Sequence, residues 1–95
     1  MSSEGQPPER RAAALRYEGG DRAPKVVASG RGEVARRLVE LAEDAGVPVR
    51  RDPALAEALA RLELELEIPE ELYVAVAEAL AWAYALDVEA ATRPR

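Results

Sequence analysis

Few side chains in this 95-residue sequence could act as nucleophiles, general bases or metal ligands. The sequence contains no His and no Cys, which excludes the commonest general base, thiolate chemistry and thiolate zinc sites. The aliphatic hydroxyl groups belong to Ser2, Ser3, Ser29 and Thr92, and no imidazole is available to activate them. Most carboxylates fall on the polar faces of predicted helices, which is typical of solvated groups. We therefore predict that the protein is not an enzyme and holds no metal.

One short motif resembles a nucleotide-binding turn. The segment Gly30–Ala35 follows a predicted strand and opens a predicted helix, as the dinucleotide fingerprint G-x-G-x-x-A does, and Arg50 and Arg51 stand where a 2′-phosphate contact is expected. However, Glu33 would put a carboxylate beside the pyrophosphate, and the chain is too short for a doubly wound domain. A glycine-rich helix entrance is the favoured interpretation. Nucleotide binding at the Gly30–Gly32 turn stays open as an alternative.

Composition and charge narrow the class of partner. The net charge is −5 and the basic residues lie scattered among acidic ones, which argues against a nucleic-acid binder. The N-terminal residues Met1–Gly5 contain no apolar signal segment. The longest apolar run, Ala75–Leu86, contains Glu78 and is shorter than the roughly 20 residues that span a bilayer. We therefore expect a cytoplasmic protein.

The pattern along the chain predicts one small α/β domain over residues 12–87, with a flexible tail over residues 1–11 and a second tail over residues 88–95. The turn signal Glu18–Asp21 separates the first two strands. We predict a mixed β-sheet of about three strands, one βαβ crossover and three helices. The predicted strands are Ala12–Tyr17, Pro24–Ser29 and Val47–Val49, and the predicted helices are Glu33–Ala45, one from Pro53 and one from Ile68.

Apolar spacing predicts which faces of the helices are buried. Leu55 and Leu59 point inward from the second helix, which Asp52 caps. The connector Leu62–Glu67 alternates with period two, and we interpret it as extended or partly helical. The inward faces of the first and last helices are predicted to contain Val34, Leu38, Leu41 and Ala45, and Leu72, Tyr73, Val76, Leu80, Ala83 and Tyr84.

Three segments carry a more specific signal. The stretches AAALRYEGGDRAPKVVASG, GVPVRRDPALAEALAR and IPEELYVAVAEALAWAYAL resemble, in order and spacing, the cytoplasmic C-terminal domain of the FlhB/YscU family. Members of that family are export-switch components of flagellar and virulence type III secretion. The resemblance covers Ala12–Leu86. It implies a non-enzymatic binding module of the export apparatus that assists substrate recognition or specificity switching, at the export gate on the inner face of the membrane.

The resemblance also implies a site. In the family, a small apolar patch on this domain is implicated in recognising early export substrates, the rod and hook subunits. The matching residues are Ala23, Pro24, Ala77 and Leu80, and small side chains such as those of Ala23 and Ala77 would leave a shallow dent for one apolar side chain of an extended peptide. The alternative is that Ala77 and Leu80 are ordinary core residues.

Two departures from the family pattern concern cleavage and the connector. Family members carry an N-P-T-H autocleavage site before the first strand, at which asparagine cyclises. The corresponding residues are Pro7, Pro8, Glu9 and Arg10, and the chain contains no asparagine, so we expect no self-cleavage. The connector Leu62–Glu67 has no glycine before its Ile-Pro and is one residue shorter than usual.

The family also implies a partner for the first strand. There, the segment before the cleavage site supplies a strand that pairs beside the A-x-A-L-x-Y strand. The Pro7-Pro8 segment cannot form that ladder, so we predict an unpaired edge that could accept the upstream half of a full-length paralogue. The edge residues are Ala12, Ala14, Leu15 and Tyr17.

A third interpretation of the chain is an orphan structural domain that kept the fold and lost its partner.

Overall fold

The computed structural model describes the backbone of residues 10–92 and the side chains of residues 10–86. Of the flexible tail predicted over residues 1–11, residues 1–9 lie outside the described residues, and Arg11 belongs to the first strand. The chain forms a two-stranded antiparallel sheet and three helices, which confirms the mixed α/β class. In chain order the elements are β1 (Arg11–Arg16), β2 (Lys25–Arg31), α1 (Glu33–Asp44), α2 (Pro53–Ala60), a short 3-10 helix (Glu70–Leu72) and α3 (Tyr73–Thr92).

Strands β1 and β2 form a hairpin, as the turn signal between them indicates. Asp21 N–H donates to the Glu18 carbonyl at 3.1 Å, and the Asp21 carboxylate accepts from Glu18 N–H at 3.1 Å. Gly20 has φ of 94°, which side-chain-bearing residues rarely adopt. The register shifts between Ala14 and Leu15, where a β-bulge increases the local twist. The hairpin therefore brings Tyr17 and Pro24 to the same end of the sheet.

Helix α1 ends in a Schellman motif. Gly46 N–H donates to the Glu43 carbonyl at 3.0 Å, and Val47 N–H donates to the Ala42 carbonyl at 2.8 Å. Gly46 has φ of 76°, so the prediction that it ends the helix is confirmed.

The predicted third strand, Val47–Val49, is wrong, and so is the βαβ crossover that depended on it. Among the residues that the structure describes, the sheet contains only β1 and β2, and residues 47–52 are irregular. The N–H of Val47 is used to cap α1, and Pro48 has no N–H. Two of the three residues therefore have no donor left for a ladder.

Helix α2 and the connector after it both contact the hairpin. Asp52 accepts a hydrogen bond from Leu55 N–H at 3.2 Å and Pro53 occupies the first turn, as predicted. The connector, interpreted from the sequence as extended or partly helical, instead turns at Leu64 and Glu65, where Glu65 has φ of 68°, and it meets β2 at a single bridge between Lys25 and Glu67.

The hydrophobic core lies between the hairpin, α2 and the start of α3. Leu55 and Leu59 are buried, as predicted, and α2 packs on both strands. The inward faces predicted for the other helices are only partly buried: Val34 and Leu41 are exposed on α1, and Tyr73 and Tyr84 are exposed on α3. Helix α3 reaches Thr92, beyond the domain end expected at residue 87. The core cluster consists of Ala23, Val26, Leu55, Leu59, Ile68 and Val76.

Candidate functional site

An apolar cavity of about 210 Å³ lies between the start of β2 and the first turns of α3. The four residues of the predicted recognition patch all line it, although they come from distant parts of the sequence. We call it the apolar cavity. Its lining residues are Tyr17, Arg22, Ala23, Pro24, Ile68, Tyr73, Val76, Ala77 and Leu80.

The floor of the apolar cavity is part of the core. Ala23, Ile68 and Val76 are each at least 97% buried and belong to the core cluster, since their exposed fractions are 3%, 3% and 1%. A rigid floor fixes the shape of the cavity, because close-packed interiors deform little. The cavity is therefore preformed and needs no folding step to accept a ligand.

Ala77 and Leu80 belong to the wall of the cavity that α3 contributes. Their burial distinguishes a recognition patch from ordinary core residues. Ala77 is exposed, so it is not a core residue. Leu80 is half-buried, packs against the core cluster and also lines the cavity. The small side chain of Ala77 keeps the cavity open towards solvent.

The connector holds the opposite rim. The Glu67 carboxylate accepts hydrogen bonds from the backbone N–H groups of Arg22 at 2.9 Å and Ala23 at 3.3 Å. Ile68 N–H donates to the Pro24 carbonyl at 2.9 Å. A carboxylate that accepts two backbone N–H groups satisfies donors that the turn before β2 would otherwise leave to water. The connector therefore positions the predicted patch residues Ala23 and Pro24.

The sequence analysis missed several lining residues, above all the tyrosines. Tyr17 is 48% exposed and Tyr73 is 43% exposed. Both stand at the mouth of the cavity, and an exposed aromatic ring beside an apolar hollow is typical of a binding surface. Arg22 provides the only charge among the lining residues. The cavity can therefore bind an apolar side chain by burial, with aromatic rings beside it.

The hydrogen-bonding pattern of the hairpin determines which backbone groups of β1 point away from β2. Gly32 N–H donates to the Arg10 carbonyl at 2.7 Å, and Ala12 and Ala14 lie opposite Gly30 and Ala28. Since hydrogen-bonded and non-hydrogen-bonded pairs alternate along an antiparallel ladder, the backbone groups of Ala13 point away from β2. Within the described residues, β2 is the sole strand beside β1.

Not all of the predicted edge residues face that edge. Ala12 and Ala14 direct their backbone groups towards β2, and Tyr17 follows the end of β1. Leu15, two residues after Ala13 on β1, lies on the same outward side, so the outward donors and acceptors include those of Leu15 and of Ala13, which the prediction left out. Of the four residues of the degenerate cleavage site, Arg10 is described, and Pro7, Pro8 and Glu9 lie outside the described residues.

The Gly30–Gly32 turn does not have the dinucleotide arrangement. Gly30 and Arg31 belong to β2, which pairs antiparallel with β1, so the parallel βαβ unit of that fingerprint is missing from residues 10–92. A Cβ on Gly30 would lie 2.3 Å from a methyl carbon of Val34. This glycine accommodates the close approach of α1 to β2.

The comparison with known proteins agrees with the fold. A family model described as the FlhB HrpN YscU SpaS Family matches residues 7–83, which is most of the chain. The chain belongs to this family. Its membership confirms the resemblance that the three sequence segments carry, and it associates the chain with proteins of flagellar biosynthesis and type III secretion.

Three relatives place the chain within the family. The Bacillus subtilis protein YlqH is 45% identical over 83 residues, which cover 86% of this chain and 89% of YlqH. The flagellar biosynthetic protein FlhB of Escherichia coli is 47% identical over 81 residues, which cover 83% of this chain but only 21% of FlhB. The crystal structure of the cytoplasmic domain of FlhB from Shewanella putrefaciens has a TM-score of 0.81 and 32% identity, covering 90% of this chain and 71% of that domain.

The family assignment concerns one part of the longer relatives. The chain corresponds to a cytoplasmic domain of FlhB and spans about a fifth of the whole Escherichia coli protein. In the part of the chain that the structure describes, none of the helices has the length and apolar character needed to cross a bilayer. The described residues also contain no group of three or more carboxylates placed to hold a metal ion.

Proposed function

We propose that this chain is a non-enzymatic binding module of the flagellar or a related type III export apparatus. It assists recognition of export substrates or switching of their specificity, and it acts without autocleavage. One observation carries the proposal: the residues that match the family's recognition patch, from two distant segments, line a single apolar cavity. The proposed substrates are rod- and hook-type subunits. The proposed place of action is the cytoplasm, at the export gate on the inner face of the membrane.

Binding at the apolar cavity should be weak for an isolated peptide. Burying one large apolar side chain contributes about 1.5–3 kcal/mol, whereas a micromolar dissociation constant needs about 8 kcal/mol. Contacts of the peptide backbone with the cavity rim would have to supply the rest. Weak, reversible binding suits a protein that must pass each substrate on.

The apolar cavity should be where such a peptide binds. We expect an N-terminal peptide of a rod or hook subunit to shift the amide resonances of Ala23, Tyr73, Ala77 and Leu80 in a saturable way. Resonances of α1, which lies outside the lining of the cavity, should stay unchanged and serve as the internal control. Nuclear magnetic resonance titration of the labelled protein measures both. Shifts confined to α1, or none with peptides that bind a full-length relative, would contradict the proposal and favour an orphan structural domain.

We further propose that the outer edge of β1 accepts the strand that precedes the cleavage site of a full-length paralogue. The chain would then replace the C-terminal piece of that protein. The support is the outward N–H and C=O of Ala13 and the sole described strand neighbour, β2. An added strand binds through backbone hydrogen bonds, so the outer edge of β1 can bind it without side-chain contacts.

Proline at position 13 tests the edge. Ala13→Pro removes one outward donor but none of the bonds to β2, and proline is tolerated where a strand N–H faces solvent. We expect co-purification with a membrane-anchored paralogue truncated at its cleavage site, and its loss in Ala13→Pro. Ala13→Ser keeps the N–H and is the matched control, with circular dichroism reporting the fold. The edge proposal fails if Ala13→Pro binds as Ala13→Ser does, or if only the paralogue's own C-terminal piece binds.

A further inference from the structure

A second hollow, of about 340 Å³, lies where the C-terminal end of α2 meets the strands near their termini at Arg11 and Arg31. It shares no lining residue with the apolar cavity. Three of its six lining residues are arginines, in a chain whose net charge is −5. We call it the arginine hollow. Its lining residues are Arg11, Ser29, Gly30, Arg31, Ala60 and Arg61.

Two of the arginines are directly opposed across the hairpin. Arg11 pairs with Arg31 in the register of β1 and β2. The neighbouring pair of Arg10 and Gly32 is hydrogen-bonded, so by alternation the arginine pair is a non-hydrogen-bonded one. Side chains of such pairs stand closer together than those of hydrogen-bonded pairs. Like charges at directly opposed positions destabilise a sheet unless a counter-charge lies between them.

The surrounding residues supply less negative charge than is needed to neutralise the three arginines of the hollow. Arg61 pairs with Glu57 at 2.8 Å, whereas no carboxylate among the described residues lies within ion-pairing distance of Arg11 or Arg31. The C-terminal end of α2 adds about half a negative charge. Three guanidinium groups therefore keep a surplus of between one and two positive charges.

We propose that the arginine hollow binds a phosphate group. A free phosphate carries about 1.5–2 negative charges at neutral pH and the phosphodiester of a lipid headgroup carries a single one, and both charges fall within the range of the surplus. The guanidinium group of an arginine is planar and can donate two parallel hydrogen bonds to two oxygens of one phosphate, and both Arg11 and Arg31 provide such a group. Ser29 provides a hydroxyl donor on the same wall. The phosphate is either free or part of a lipid headgroup, and the two sources share this recognition.

Titration with inorganic phosphate tests the site, with sodium chloride holding the ionic strength constant. We expect phosphate to raise Tm and to shift the amide resonances of Ser29 and Arg31. Arg31→Gln should weaken binding about tenfold or more, because it removes a charge-assisted contact. Without phosphate, Arg31→Gln should raise Tm, since it relieves the repulsion from Arg11. The matched control is Arg50→Gln, an exposed arginine outside both hollows.

Vesicles distinguish the two sources. Binding to phosphatidylglycerol but not to phosphatidylcholine vesicles, lost in Arg31→Gln, would support a lipid headgroup. Phosphate binding without vesicle binding would support a free phosphate. The site is overturned if phosphate stabilises the protein no more than chloride does, or if Arg50→Gln weakens binding as much as Arg31→Gln. Arg11→Gln provides a second variant of the opposed pair should Arg31→Gln fail to fold.

Discussion

Leu59→Ala is expected to lower the free energy of unfolding by about 2–5 kcal/mol. Leu59 is 3% exposed and belongs to the core cluster that joins the hairpin, α2 and α3. The substitution removes buried methyl groups and leaves a cavity that the surrounding residues fill only partly. Since the whole stability of a small domain is about 5–15 kcal/mol, this loss is large. Urea denaturation followed by circular dichroism measures it.

Leu66→Ala is the matched control, because it is the same chemical change at a residue that is 56% exposed. We expect it to change the free energy of unfolding by no more than about 0.5 kcal/mol. Equal effects of the two substitutions would contradict the placement of the core on the inner side of α2.

Elements with a strong local signal could be predicted from the sequence. The turn Glu18–Asp21 is stabilised by bonds within itself, and Asp52 caps the helix that begins beside it. The end of α1 at Gly46 needs only a residue that tolerates positive φ. In each case, residues a few positions apart determine the structure, so a short window of sequence contains the cause.

The prediction of a third strand was wrong for a reason that is also local but harder to recognise in the sequence. Val47 has the composition of a strand residue, yet its N–H completes the cap of α1. The same peptide group cannot also donate to a ladder. Pro48, which the sequence analysis read as a sign of an edge strand, removes the next donor.

The candidate site could be predicted only in part. The family resemblance named Ala23, Pro24, Ala77 and Leu80, whereas periodicity alone left Ala77 either buried or exposed. The apolar cavity exists because the residues just before β2 and the first turns of α3 meet in space, and no local pattern reports that distance. Tyr73 was predicted to lie on the inward face of the last helix, but α3 meets the core mainly through its first turns, around Val76. Tyr73 is therefore free to flank the cavity.

Ala77→Asp is expected to weaken binding of a rod- or hook-type N-terminal peptide by about tenfold or more, equivalent to about 1.4 kcal/mol. An apolar side chain that enters the cavity would desolvate the new carboxylate without offering it a partner. The fold should persist, because Ala77 is exposed and the carboxylate meets water in the free protein. Circular dichroism checks the fold, and calorimetric titration measures the affinity.

The ratio of the dissociation constants of Ala77→Asp and Val74→Asp tests most directly that the apolar cavity is the substrate site. Val74 lies one turn earlier on α3, is 74% exposed and does not line the cavity, so its substitution adds the same charge nearby. Cavity binding predicts a ratio of about ten or more, with Val74→Asp close to the unsubstituted chain. Equal dissociation constants for two folded variants would contradict it.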